Sequence, residues 1–124
     1  MVNNENIENF SPEIPTITGP TRAKINENIE YSINCIDPDG DEIYYFIEWG
    51  DGDIEEWIGP FESGSSININ HIWQEKGDYI IRVKAKDDYN SESDWGTLEL
   101  KMPKFYQYTS YFDLLKNILQ FFLK

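Results

Sequence analysis

Residues 43–49 read Ile-Tyr-Tyr-Phe-Ile-Glu-Trp and run directly into Gly50-Asp51-Gly52. Side chains on a strand alternate between its two faces, so Ile43, Tyr45, Ile47 and Trp49 share one face. Four large apolar groups in a row on one side need a second layer to cover them. Asp-Gly after such a run is a strong hairpin signal, because glycine reaches positive φ without steric cost. The rest of the chain is read as the cover for that face.

The same period recurs along the sequence. Residues 29–35 place Ile29, Tyr31, Ile33 and Cys35 on one side and Glu30, Ser32 and Asn34 on the other. Asp37-Pro38-Asp39-Gly40-Asp41 breaks that run before the strand at 43–49. A shorter strand is expected at 54–58, ended by Gly59-Pro60, and another at Ile67 and Ile69 leading into His71. Residues 79–86 set Tyr79, Ile81, Val83 and Ala85 inward and Arg82, Lys84 and Lys86 outward, where they could pair with Glu48 and Glu99. A last strand, 95–102, aligns Leu98, Leu100 and Met102. Pro12, Pro15 and Pro20 bracket 14–18, which confines any strand there to a sheet edge. About seven short strands separated by Gly, Pro and Asp turns predict an all-β sandwich over residues 13–102.

With 124 residues there is room for one ordinary domain. A net charge of −13 argues against nucleic acid or an anionic membrane surface as partner, and favours cations. Cys35 is the only cysteine, so no intrachain disulfide forms; on an apolar strand face it reads as a small hydrophobe. Residues 1–12 are polar and aperiodic and read as a flexible leader, without the basic-then-apolar order of a signal peptide. No apolar run reaches the ~18 residues of a transmembrane span. An extracellular setting would therefore make this chain a piece of a longer protein.

Several motifs taken together resemble the polycystic kidney disease (PKD) domain. Trp49-Gly50-Asp51-Gly52 matches its Gly-Asp-Gly signature. His71-Ile72-Trp73 followed by Gly77-Asp78-Tyr79 and the alternating run to Asp87 matches its second half. Ile47-Glu48-Trp49 replaces the frequent Trp-Asp-Phe, but both patterns turn two apolar side chains inward. The resemblance implies an immunoglobulin-like module of extracellular or cell-surface proteins, similar to modules in archaeal surface proteins, without catalytic residues of its own. It also implies calcium binding by the Asp-x-Asp loop together with the Asp after the Tyr79 strand, here Asp87.

On chemistry alone, Asp37, Asp39 and Asp41 form the leading cation site, since Ca²⁺ takes six to eight oxygens and an Asp-x-Asp loop with Gly offers several. An EF-hand is excluded, because Glu42 stands where the loop needs glycine and a strand follows. A solvated acidic turn is the competing reading. His71, the single histidine, is expected to bond to backbone near the turn, and Asp51 to accept backbone N–H groups there. Tyr44 and Phe46 point away from the core, with Ile80 expected beside them. They mark either a contact surface or a face covered by the leader, the tail or a neighbouring module. Trp57 and Trp95 could extend that surface toward carbohydrate, core burial being the alternative. The tail, 103–124, has apolar residues at helical spacing, and Ser110 with Asp113 suggests a helix over 110–124 that docks on the domain, self-associates or meets a partner.

The resulting expectation is a non-catalytic module for protein or carbohydrate contact, or for spacing, in a cell-surface protein. The alternative is an accessory substrate-binding domain of a secreted hydrolase.

Overall fold

The alternating runs become strands in the computed structural model, which describes residues 8–103 and 111–122. In chain order they are β1 (Thr16–Thr18), β2 (Ile29–Asn34), β3 (Ile43–Glu48), β4 (Ile54–Phe61), β5 (Ser66–His71), β6 (Gly77–Lys86) and β7 (Gly96–Met102), followed by helix α1 (Tyr111–Phe122). They make two antiparallel sheets, ordered β1-β2-β5 and β4-β3-β6-β7. This is the expected sandwich.

The inward residues of β2, β3 and β6 behave as their period requires. Tyr31, Ile33, Ile43, Tyr45, Ile47, Trp49, Ile81, Val83 and Ala85 are fully buried. Each large side chain moved out of water contributes about 1.5–3 kcal/mol. At one end of the core Trp73 stands edge-on to both Tyr31 and Trp49, at centroid distances of 6.1 and 5.8 Å. Its indole N–H donates to the Trp49 carbonyl at 3.2 Å. Cys35 is buried, its thiol donates to the Glu13 carbonyl, and burial with the nearby Glu13 and Asp37 charges pushes its pKa up to about 12. It is a packing residue.

The first strand serves both sheets. Thr16–Thr18 pairs with the end of β2, and beyond Gly19-Pro20 the chain crosses to the other sheet. There the Ala23 N–H donates to the Lys101 carbonyl and the Lys101 N–H to the Thr21 carbonyl, in a parallel bridge on the free side of β7.

β4 departs from the sequence reading. It continues through Gly59-Pro60 to Phe61, because Pro60 lies on an edge strand where bulges absorb it. Ile47 faces Glu55 while Tyr45 faces Ile58, so Glu56 and Trp57 together oppose Phe46. Trp57 takes a φ of 51°, a left-handed conformation that is rare for a bulky residue.

Helix α1 covers most of the expected 110–124; Ser110, Leu123 and Lys124 lie outside the described residues. Leu115, Ile118, Leu119 and Phe122 are exposed. No helix among the described residues is long and apolar enough to cross a membrane.

Candidate metal centre

The loops β2–β3 and β6–β7 meet at one pole of the sandwich. Asp37 is 3% exposed and builds the first loop from within: one carboxylate oxygen accepts the N–H groups of Asp39 (2.9 Å) and Asp41 (3.1 Å). Asp87, 1% exposed, does the same in the second loop for Tyr89 (2.9 Å) and Ser91 (3.0 Å). Short Asp side chains that bond backbone two residues onward are what make such Asx turns.

The second oxygens differ. Asp87 Oδ2 accepts the Asn9 amide at 2.8 Å. Asp37 Oδ2 and Asp41 Oδ2 are buried and have no hydrogen-bond partner among the described residues. A buried carboxylate oxygen without a donor is costly, and a cation is the partner that would relieve both at once. The ligand atoms of Asp37, Asp39 and Asp41 lie within 4.8 Å of one another. Two oxygens on opposite sides of a Ca²⁺ ion stand about 4.8 Å apart at bonding distances of ~2.4 Å, so the cluster is of the right size. Burial, then the charges of Asp37, Asp39, Asp87 and Asp88, raises the Asp41 pKa above its ordinary value. Asp87 therefore shares the pole and its field, but its carboxylate is already engaged by Asn9 and two backbone amides.

The N-terminal residues reach this pole too. Phe10 N–H donates to Asp39 Oδ2 at 2.7 Å, and the hydroxyls of Ser11 and Ser91 are 2.7 Å apart. Residues 9–11 belong to the expected flexible leader, yet each bonds to one of the two acidic loops. Asn9 and Ser11 do so with their polar side chains and Phe10 with its backbone N–H. Residues 1–7 lie outside the described residues.

At the opposite pole the Trp49-Gly50-Asp51-Gly52 turn meets His71. The imidazole stacks on Trp49 at 4.6 Å with planes 2° apart, and its Nε2–H donates to Asp51 Oδ2 at 2.7 Å. Its partner is thus a carboxylate, not the backbone expected, because the turn carries Asp51 across to the end of β5. Asp51 also accepts the Asp53 N–H, as its turn role requires. Asp53 Oδ2 is 3.8 Å from the same nitrogen. Tyr79 closes this end by donating its hydroxyl to the Glu75 carbonyl. The two halves of the signature, distant in sequence, are one bonded unit.

A family model for the PKD domain matches residues 9–102. The chain belongs to the PKD domain family. It is similar to the PKD domain of an M14-like peptidase from Thermoplasmatales archaeon SCGC AB-540-F20, with a TM-score of 0.77 and 52% identity over 78% of this chain and 100% of that one. The PKD domain of the human receptor SorCS2 shares the fold at 15% identity and a TM-score of 0.51, over 87% of this chain and 92% of that one. Collagenase ColQ1 of Bacillus cereus (strain Q1) is 29% identical over 87 residues, which are 69% of this chain and 8% of the collagenase. The chain thus spans under a tenth of that relative's length. PKD domains are generally non-catalytic accessory modules.

The outer face of the larger sheet in this PKD domain is an aromatic–cation ladder. Phe46 packs against Trp57 (5.5 Å) and Trp95 (6.2 Å). Arg82 lies 4.2 Å from the centre of Trp95, and Lys86 4.5 Å from that of Trp57. Lys84 sits within 5.6 Å of the rings of Phe46, Trp57 and Trp95. Stems of Lys and Arg cover apolar rings while their heads stay wet. Trp57 and Trp95 are half-buried here, outside the core. Among the described residues, then, the cover over Phe46 comes from the sheet's own side chains.

Ile80 is not beside Phe46. It pairs with Glu99 on β7, and its backbone lies against Gly50, while Lys84 is the residue opposite Phe46. The expected Arg82–Glu48 pair forms at 2.7 Å, but Lys84 bonds to Glu92 at 2.7 Å. Register explains this: Glu99 faces Ile80, and the residue range that returns to Lys86 brings Glu92 within reach.

Proposed function

We propose that this PKD domain is an extracellular accessory module of a peptidase, holding polymeric protein substrate through its aromatic–cation face and braced by Ca²⁺ at its acidic pole. The observation that carries the reading is the 52% identity to a peptidase's PKD domain across the whole of that domain. The match to a collagenase supports it further, and weighs the accessory reading above the adhesive or spacing one. The side chains are consistent with a binding role. His71 Nε2 donates to the Asp51 carboxylate, and the Cys35 thiol is buried with a raised pKa. The half-exposed Tyr44, Phe46, Trp57 and Trp95, interleaved with Arg82, Lys84 and Lys86, offer ring surface and donors together.

Cosedimentation tests the binding role. The chain is expected to be retained on an insoluble fibrous protein, with retention falling several-fold in Trp57→Ala and Trp95→Ala. Retention on insoluble polysaccharide alone would move the reading to carbohydrate, and retention on neither would reduce the domain to a spacer.

Calcium makes a separate prediction. Asp37, Asp39 and Asp41 would hold the ion, which supplies only charge neutralisation between loops. At a hundred times Kd the stabilisation is about 2.7 kcal/mol, a rise of roughly 10–20 °C in Tm for a domain of this size. Asp41→Asn should remove this rise without lowering the Tm measured in chelator. The sign follows from its raised pKa: the folded state binds the Asp41 proton more tightly than the unfolded one, so near neutral pH the charged form opposes folding. That opposition fades as pH falls through the folded pKa toward the ordinary value of 3.8. Thermal melts with millimolar Ca²⁺ and with chelator decide both points; identical curves would remove calcium from the proposal.

A further inference from the structure

We propose that the free edge of β5 binds an extended peptide segment, which adds to the three-stranded sheet as a fourth strand. This rests on the reading that the module holds polypeptide, and adds a second contact for it on the sheet that does not carry the aromatic–cation face.

Sheet edges present backbone N–H and C=O groups that pair with any strand offered to them, and folded proteins blunt them for that reason. Of the four edges in this sandwich, three are blunted. β1 is only 3 residues long and lies between Pro15 and Pro20. β4 has two register shifts, contains Pro60, and holds Trp57 at a φ of 51°. β7 is bonded on its free side by Thr21 and Ala23.

β5 has none of these devices. It pairs with β2 in unbroken register from Ile29↔His71 to Asn34↔Ser66 and contains no proline, lysine, arginine or acid. Among the described residues its backbone makes no bond other than to β2. In a regular antiparallel edge strand alternate residues point N–H and C=O outward together, so a bonding row stands ready.

The side chains define the occupant. Ser66, Asn68 and Asn70 are exposed on the outer face, while Ile67 and Ile69 turn toward the core and are only half-buried. A strand with apolar groups at every second position would cover the open flank of Ile67 and Ile69 and set its polar groups beside the Ser and Asn row. The net charge of −13 attracts a basic segment and opposes pairing with a second copy, and no charge on β5 itself stands in the way.

The test is a titration of the intact chain with a short peptide that alternates valine and threonine between terminal lysines, followed by backbone amide NMR. Shifts and slowed amide exchange are expected in Ser66–His71 and the adjoining part of β2. N-methylating alternate residues of the peptide, in each of the two registers in turn, should weaken binding about tenfold or more in one register, because a methylated amide cannot donate to the ladder. Asn68→Lys, at an exposed site that leaves the fold intact, should weaken it comparably by repelling the basic peptide. Binding that tolerates both methylations, or maps to Phe46, Trp57 and Trp95, overturns the edge proposal while leaving the accessory reading standing. So does the absence of binding, or self-association through β5. Failure of the accessory reading would show separately, as a chain that no fibrous protein retains.

Discussion

Trp73→Ala is expected to be among the most damaging single changes in this domain. The ring is fully buried, touches Tyr31, Trp49, His71 and Tyr79, and donates the bond that ties β5's end to the Trp49 carbonyl. Truncating a buried tryptophan costs about 3–5 kcal/mol. Small domains have only about 5–15 kcal/mol in total, so the Tm should fall by roughly 15–30 °C. Trp57→Ala, at a half-buried site on the outer face, should cost far less. Circular dichroism melts of the two variants separate core from surface, and a Trp73→Ala protein melting within a few degrees of the parent would contradict the packing described.

Gly50→Ala should follow closely. Gly50 has a φ of 88°, where a side chain costs about 1–2 kcal/mol. A Cβ there would also stand 2.8 Å from the Ile80 carbonyl oxygen, and backbone on a central strand cannot step aside freely. Overpacking adds about 1–3 kcal/mol. Gly52 is the control: its φ is 100°, but a Cβ would meet nothing within 4 Å. Gly52→Ala should therefore show the conformational cost alone. Equal Tm losses for the two would mean that the Ile80 contact is not tight.

Much of this architecture is written in period-two alternation, which is why the faces of β2, β3 and β6 agree with their sequence reading. The errors fall where alternation fails. β4 carries bulges, so spacing could not tell that Trp57 would turn outward onto Phe46, nor that the strand would pass through Pro60. Alternation gives the face of Ile80 but not its register: β3 and β6 pair so that Lys84 opposes Phe46, and Ile80 falls four residues away, at the Gly50 turn. The His71–Asp51 bond joins the end of β5 in one sheet to the β3–β4 turn of the other; each residue is legible as lying near a turn, and their contact is not. At the acidic pole the aspartates announced themselves by spacing. The contribution of Asn9 and Ser11 has no signal beyond polarity, and that of Phe10, a backbone N–H, has none. Asp37's buried, unpartnered oxygen, on which the metal assignment leans, becomes visible only when the loops are folded.

The crossing of the first strand between sheets carries a mechanical consequence. The chain enters at the acidic pole, where Phe10 meets Asp39, and β7 leaves at the other, where Met102 pairs with Gly77. A pull on the two ends therefore runs along the length of the sandwich. The Thr21–Lys101 and Ala23–Lys101 bonds join the segment after β1 to β7, the two running in the same direction, so tension shears them together and does not peel them one by one. Under load, this short parallel clasp has to be sheared before residues 21–23 and β7 can part.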